Sequence, residues 1–249
     1  SFPDIAARVQ KVLDDPRASP ARVAAVVASE AALAARVLRL ANSAFLNPSS
    51  EQVNDLRVAL TRLGVQLVRC TAVSFALQQM KLGSGDADLR KELQELWRGG
   101  ALVASIAYVL ARESRAANPD EALMTGLMHN IGKLYITVSA AKAEAAAVSE
   151  WHPQIAVLIL KHWKFPPAII AAVGNQNLVS RQRHGDEGLT DILKAATALQ
   201  PCVFDRTLLP DVVAGIPAFQ QLKLNAEDCT RILAASAEQI RSLRAGLSD

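Results

Sequence analysis

The sequence predicts an all-α protein. Apolar residues recur at helical spacing along almost the whole chain, and β-branched runs are short. Glycine and proline, 12 and 11 of the 249 residues, stand where helices would begin and end. Hydrophobic residues make up 51% and charged residues 20%, enough apolar material for a large core in one domain or two intimate lobes.

In chain order, Ile5, Val9, Val12 and Leu13 share one face of a helix over 3–13, which Asp14, Asp15 and Pro16 end. Ser19 and Pro20 fit an N-cap and first helical position, with Val23, Val26 and Val27 inward. Ser29 opens the next helix, whose stripe is Leu33, Val37, Leu40 and Ala41; Arg36 and Arg39 lie off it and are expected to reach solvent. Asn42 and Ser43 break that helix. Both bond readily to nearby backbone, as a C-cap and turn anchor or as a polar contact to a second lobe. Residues 45–50 read as a loop. Helices over 55–63 and 65–80 follow, split at Gly64. Gly83 to Asp86 is the expected boundary between an N-terminal helical lobe, 1–84, and a second lobe, 85–249.

A long helix over 87–115 keeps its period through Leu89, Leu93, Leu102, Ile106 and Leu110. Gly99 and Gly100 cost it roughly 1 kcal/mol each relative to alanine, and mark a kink or a close helix crossing. The central stretch is Asn118 to Lys133, NPDEALMTGLMHNIGK. Asn118 is a natural N-cap, Pro119 suits the first helical position, and Asp120 and Glu121 put negative charge in the first turn. Gly132 is a C-cap candidate. His129 and Asn130 then sit side by side in an apolar neighbourhood, an odd place for two polar side chains. An Ala-rich helix is expected over 139–149, and a buried central helix, apolar almost all round, over 153–163. Residues 168–175 and 189–199 read as helices, 180–188 as a solvated loop and 201–217 as irregular. Asn225, with Asp228 three residues on, opens a last helix to 243 through a variant of the capping box.

The net charge of +3, with both signs interspersed, is an ordinary surface and gives a nucleic-acid-binding module little support. Aromatic residues are 4%, too few for a stacking platform. Cys70, Cys202 and Cys229 are far apart and odd in number, and read as buried thiols in a reducing compartment. No apolar run approaches the ~18 residues of a spanning helix and no signal peptide is evident, so a cytoplasmic location without membrane contact is expected. The start at Ser1 without methionine suggests a piece of a longer protein.

Several motifs carry a family resemblance. GLMHNIGKL (126–134) resembles the G-L-L-H-D-I-G-K segment of the HD superfamily of metal-dependent phosphohydrolases, with Asn130 in place of Asp. ARVLRLANSAF (35–45), with Asn42 and Ser43, resembles the L-x-L-x-N-S signature of the HDOD branch, which keeps that fold and generally lacks the full metal set. Val53 to Gly64, Trp97 and HPQIAVLILKHWKFP (152–166) continue in the family's order, and the match runs from about 2 to 197. The resemblance implies a multi-helical HD-like core with an additional N-terminal helical lobe. It also implies a bacterial signalling role beside, or fused to, cyclase-like, phosphodiesterase-like or receiver domains.

The resemblance also allows a position-by-position reading of the metal site. Such a hydrolase needs imidazoles and carboxylates around a divalent ion that supplies hydroxide. The first His position falls at Trp97. His129 keeps the next, and the adjoining Asp is Asn130, a neutral and weak ligand. His152 matches the following His, a later one falls near Asn175 and Gln176, and the distal Asp falls near Thr197. Two imidazoles without a carboxylate fall short of the three ligands of a catalytic site. The chain is therefore expected to hold no cofactor, no metal and no catalytic residue. A closed polar cluster of His129, Asn130 and His152 capped by Trp97 is expected in their place. The readings are a non-catalytic regulatory module acting through protein contacts, with room for a ligand in the vestigial pocket; a residual HD-type hydrolase of nucleotides or cyclic dinucleotides; and a helical nucleic-acid binder.

Overall fold

A computed structural model of the chain describes residues 4–43, 46–47, 51–79, 87–139, 144–177, 188–238 and 240–242. Helices dominate, and no strand occurs among the described residues. The expected boundary at Gly83 to Asp86, and the loop expected at 180–187, lie outside them.

The first four helices are α1 (Asp4–Leu13), α2 (Pro20–Ala28), α3 (Ala31–Ala41) and α4 (Leu56–Gln79), and α4 packs on the other three. Ser19 caps α2 as expected, its side chain accepting from the Arg22 N–H. Ser29 does not open α3: it is the C-cap of α2, and its hydroxyl donates to the Val26 carbonyl. At Gly64 the backbone turns to φ 73°, ψ 163°, which splits α4 into two helical segments as the sequence predicts. Residues Leu56–Ala76 have the length and hydropathy of a spanning helix, against the sequence expectation. Yet 67% of that window is buried within the fold, as in a core helix broken by a glycine.

Arg36 is a clear departure. It is 9% exposed, and its guanidinium lies 5.6 Å from the Phe75 ring centroid and 5.9 Å from that of Trp97. Its place off the apolar stripe does not carry it to solvent, because two aromatic faces from later helices accept the cation. Arg39, by contrast, is exposed.

Helix α5 (Ala87–Ser114) runs unbroken through Gly99 and Gly100 and packs along α6 (Pro119–Met128). Gly99 and Gly100 make no break, and the close approach of the two helices belongs to Gly126 on α6. A Cβ at Gly126 would lie 2.7 Å from the Ala104 nitrogen, and one at Gly100 3.7 Å from the Leu127 carbonyl. Asn118 caps α6 through the Asp120 and Glu121 N–H groups.

Helices α7 (Ile131–Ser139) and α8 (Ala145–His162) form an antiparallel pair, followed by α9 (Pro167–Gly174) and α10 (Gly188–Leu199). The Ala-rich stretch and the 153–163 segment prove to be one helix, α8, with Pro153 inside it. Proline has no N–H to offer the Ser149 carbonyl four residues back. The Asn177 side-chain amide donates to that carbonyl instead, at 3.1 Å. Nor is α8 buried all round: His152, Pro153, Ala156 and Leu160 are buried, whereas Trp151 is 55% and Leu158 68% exposed.

The end of α8 is held by the first four helices. Lys164 adopts φ 53°, and the Phe165 N–H reaches back to the Leu160 carbonyl, a Schellman-type stop. Arg69 on α4 donates to the Trp163 carbonyl at 2.9 Å and to Asp14 at 3.0 Å, and Lys164 meets the other Asp14 oxygen at 2.8 Å. Burial alone would raise the Asp14 carboxyl; the hydrogen bonds and charges of Lys164 and Arg69 outweigh it and hold it below its ordinary value.

The stretch read as irregular is largely helical: two 3₁₀ turns, then α11 (Leu209–Gly215) and α12 (Pro217–Gln221). Helix α13 (Ala226–Ala235) starts with the expected Asn225–Asp228 capping box; Ser236 interrupts the expected run, and residues 237–238 and 240–242 are helical again. Cys70, Cys202 and Cys229 are buried free thiols.

Candidate functional site

His129 and Asn130 form the two-residue turn between α6 and α7. Gly132 is not a C-cap. It lies in the first turn of α7 and packs on the backbone of α8, against the His152 carbonyl and the Ala156 nitrogen. The missing side chain is used for close approach, not for a left-handed turn. That contact brings His152 of α8 to the His129–Asn130 turn. In the turn after α9, Gln176 donates to the His129 carbonyl at 3.1 Å and to the Val173 carbonyl at 2.9 Å. Asn177, which the sequence reading passed over, places its amide nitrogen 3.4 Å from His152 Nε2.

The expected hydrogen-bonded cluster does not form. His129 Nδ1 donates to the Gly126 carbonyl at 2.6 Å, and the backbone takes the proton that Asn130 was expected to share. Asn130 Oδ1 and His152 Nδ1 are both buried and meet no partner among the described residues. Trp97 is buried on α5, one turn before Gly100, where its ring receives Arg36. Asn175 and Thr197 are exposed, the latter bonded to the Leu193 carbonyl. Asn42 bonds in both directions to the Val53 backbone, at 2.7 Å each way, and to the Leu38 carbonyl. Ser43 donates to the Leu40 carbonyl. Both signature residues therefore bond to backbone within residues 38–53, as C-cap and turn anchor.

Electrostatics complete the site. Burial pushes His129 down to about 4, against the raising effect of its bond to Gly126 and with help from the nearby Lys133 charge. Burial, then the charges of Lys133 and His129, bring His152 to about 4 as well. Lys133 is half-buried, and burial lowers its own pKa. Both imidazoles are therefore neutral at pH 7.

These residues do not fit a catalytic divalent metal. The Asn177 amide faces His152 Nε2, Asn130 contributes no charge, and the Lys133 charge, which lowers the proton affinity of both imidazoles, would equally oppose a cation bound to them. Among the described residues no group of three His, Cys, Asp or Glu side chains could hold a metal. Asp191 on α10 is a buried carboxylate that the sequence reading did not single out, and it joins no such group.

A pH prediction follows. Both histidines bind protons more weakly folded than unfolded, so their stabilising contribution is complete above the unfolded value of 6.5 and is lost as pH falls toward 4. His129 alone should account for about 3 kcal/mol of acid lability. Chemical denaturation at a series of pH values between 7 and 4 measures it. His129→Gln should flatten the curve across that window.

Comparisons with known proteins place the chain. The model of the HDOD domain matches residues 1–179. Thr197, and the distal position assigned to it, lie beyond that match. Three solved structures share the fold. A candidate metal-dependent phosphohydrolase from Shewanella amazonensis SB2B is 24% identical, with a TM-score of 0.74 over 99% of this chain and 91% of that one. An HDOD domain protein of unknown function from Geobacter sulfurreducens is 22% identical, with a TM-score of 0.62 over 100% and 92%. A candidate signal transduction protein from Marinobacter aquaeolei VT8 is 20% identical, with a TM-score of 0.57 over 100% of this chain and 60% of that protein. Among curated proteins no match is found.

Proposed function

The chain belongs to the HDOD family, and from that premise we propose that it is a non-catalytic signal-transduction module. It acts through contacts with other signalling proteins or fused domains of cyclase-like, phosphodiesterase-like or receiver type. The observation that carries the reading is the donor set at the α6–α7 turn, which among the described residues is two neutral imidazoles, the amides of Asn130, Gln176 and Asn177, and one lysine, without a carboxylate. Hydrolysis of a phosphoester needs a strong nucleophile and neutralisation of charge at phosphorus. Among the described residues the bases here are imidazoles whose proton affinity burial has lowered, which makes them weak partners for activating water.

Two further features support a contact role. Trp151 and Leu158 lie seven residues apart on one face of α8 and leave bulky apolar surface in solvent. The Marinobacter relative is named as a signal transduction protein, and the matched fold occupies 60% of its length. The test is turnover. Nucleotides and cyclic dinucleotides incubated with the protein and added Mn, Fe or Mg should remain intact. Metal-dependent hydrolysis at enzyme-like rates, lost in His129→Ala, would replace this reading with that of a residual hydrolase.

A further inference from the structure

We infer that the α6–α7 turn binds a small oxyanion bearing one O–H, such as hydrogen phosphate or a phosphate monoester, directly and without metal, through Lys133, His152 and Asn130. The inference rests on the non-catalytic reading above and gives the vestigial site a ligand class.

Geometry assembles the three residues. Gly132 packs on the His152 carbonyl, which sets the start of α7, with Asn130 just before it and Lys133 just after, beside His152 of α8, and the Lys133 charge reaches that imidazole. Each of the three leaves something unanswered. Lys133 is half-buried and forms no ion pair with any described residue, while its charge reaches both imidazoles. A partly desolvated ammonium without a counter-ion favours an anion beside it. His152 is 2% exposed. The Asn177 amide faces its Nε2, which makes Nε2 the acceptor and puts the ring proton on Nδ1. That N–H donor meets no acceptor among the described residues. Asn130 Oδ1 is an acceptor that meets no donor.

A cation, one N–H donor and one acceptor define the ligand. Negative oxygens answer Lys133 and His152, and a ligand hydroxyl answers Asn130. Hydrogen phosphate and phosphate monoesters in their singly protonated form carry both. Sulfate has nearly the same shape but no O–H at neutral pH, and would leave Asn130 unpartnered. Lys133 thus supplies the positive charge that a metal supplies in a hydrolase, while no nucleophile is generated.

The experiment uses chelator-treated protein at neutral pH and constant ionic strength, titrated with inorganic phosphate and, separately, with sulfate. Binding is followed by calorimetry and by ³¹P line broadening. Saturable phosphate binding is expected, with sulfate at least about tenfold weaker. Lys133→Met should weaken phosphate by at least about tenfold, Lys133→Arg should retain it, and Lys161→Met on the exposed side of α8 should leave it unchanged. Asn130→Ala should narrow the gap between phosphate and sulfate. Absence of saturable binding in the wild type, or binding indifferent to Lys133→Met, overturns the inference. If the same protein also hydrolyses no phosphoester with added metal, the non-catalytic reading stands without it. Phosphate binding that appears only with a divalent metal, together with hydrolysis, removes both.

Discussion

Replacing Gly132 with alanine is expected to destabilise the protein by about 3 kcal/mol or more and to separate α7 from α8. The new Cβ would overlap the His152 carbonyl oxygen, and would lie 2.8 Å from its carbon and 3.0 Å from the Ala156 nitrogen. All three are backbone atoms, so no rotamer change relieves the contact and the helices themselves must move apart. The same movement would pull His152 away from Asn130 and Lys133. The melting temperature should fall by about 6–12 °C. Gly215→Ala is the control: nothing lies within 4 Å of its added Cβ, and its effect should stay within about 0.5 kcal/mol.

Arg69→Ala is the second change with a large expected effect, about 3 kcal/mol. The Arg69 side chain is 5% exposed and joins Asp14, the Trp163 carbonyl and the end of α8. Its removal leaves a buried carbonyl without its donor and strips Asp14 of one of two cations. The loss is partial at Asp14, because Lys164 still bonds the other carboxylate oxygen. Arg69→Lys keeps a charge but lacks the fork that reaches two acceptors, so it should recover only part of the loss. Urea denaturation of the three proteins measures both effects. A wild-type midpoint in Arg69→Ala would remove this network from the account of how the first four helices hold α8.

What was legible in the sequence was local. Ser19, Asn118 and Asn225 cap helices through bonds to backbone two or three residues away, and the sequence displays that spacing directly. Gly64 breaks α4 for a reason that belongs to one residue, its positive φ. The helical period located nearly every element for the same reason.

The misreadings at Gly132, Arg36 and Pro153 involve a partner distant in sequence. Gly132 has the look of a C-cap, and only the backbone of α8 shows that it is a contact point. Arg36 looked solvent-bound until Phe75 and Trp97 gave its cation a buried place. Pro153 reads as the start of a new helix, but Asn177, 24 positions on, supplies the hydrogen bond it cannot make and lets one helix run through it. Leu158 belonged to an apolar run that gave no sign of its solvent-facing side. Within the site, the sequence identified His129, Asn130 and His152 as the residues to watch. The bond of His129 to Gly126, the unpartnered Asn130 Oδ1, and the roles of Lys133 and Asn177 depend on how the chain packs.

If the α6–α7 turn has ceased to be a metal centre, the metal content of the protein after incubation with Mn, Fe or Zn and removal of free ion will show it. The donor set predicts far less than one metal per chain, with the same residual level in the wild type and in the His129→Ala, His152→Ala double variant. Stoichiometric metal in the wild type that disappears in the double variant would contradict it, and would return the protein to the hydrolases its fold resembles.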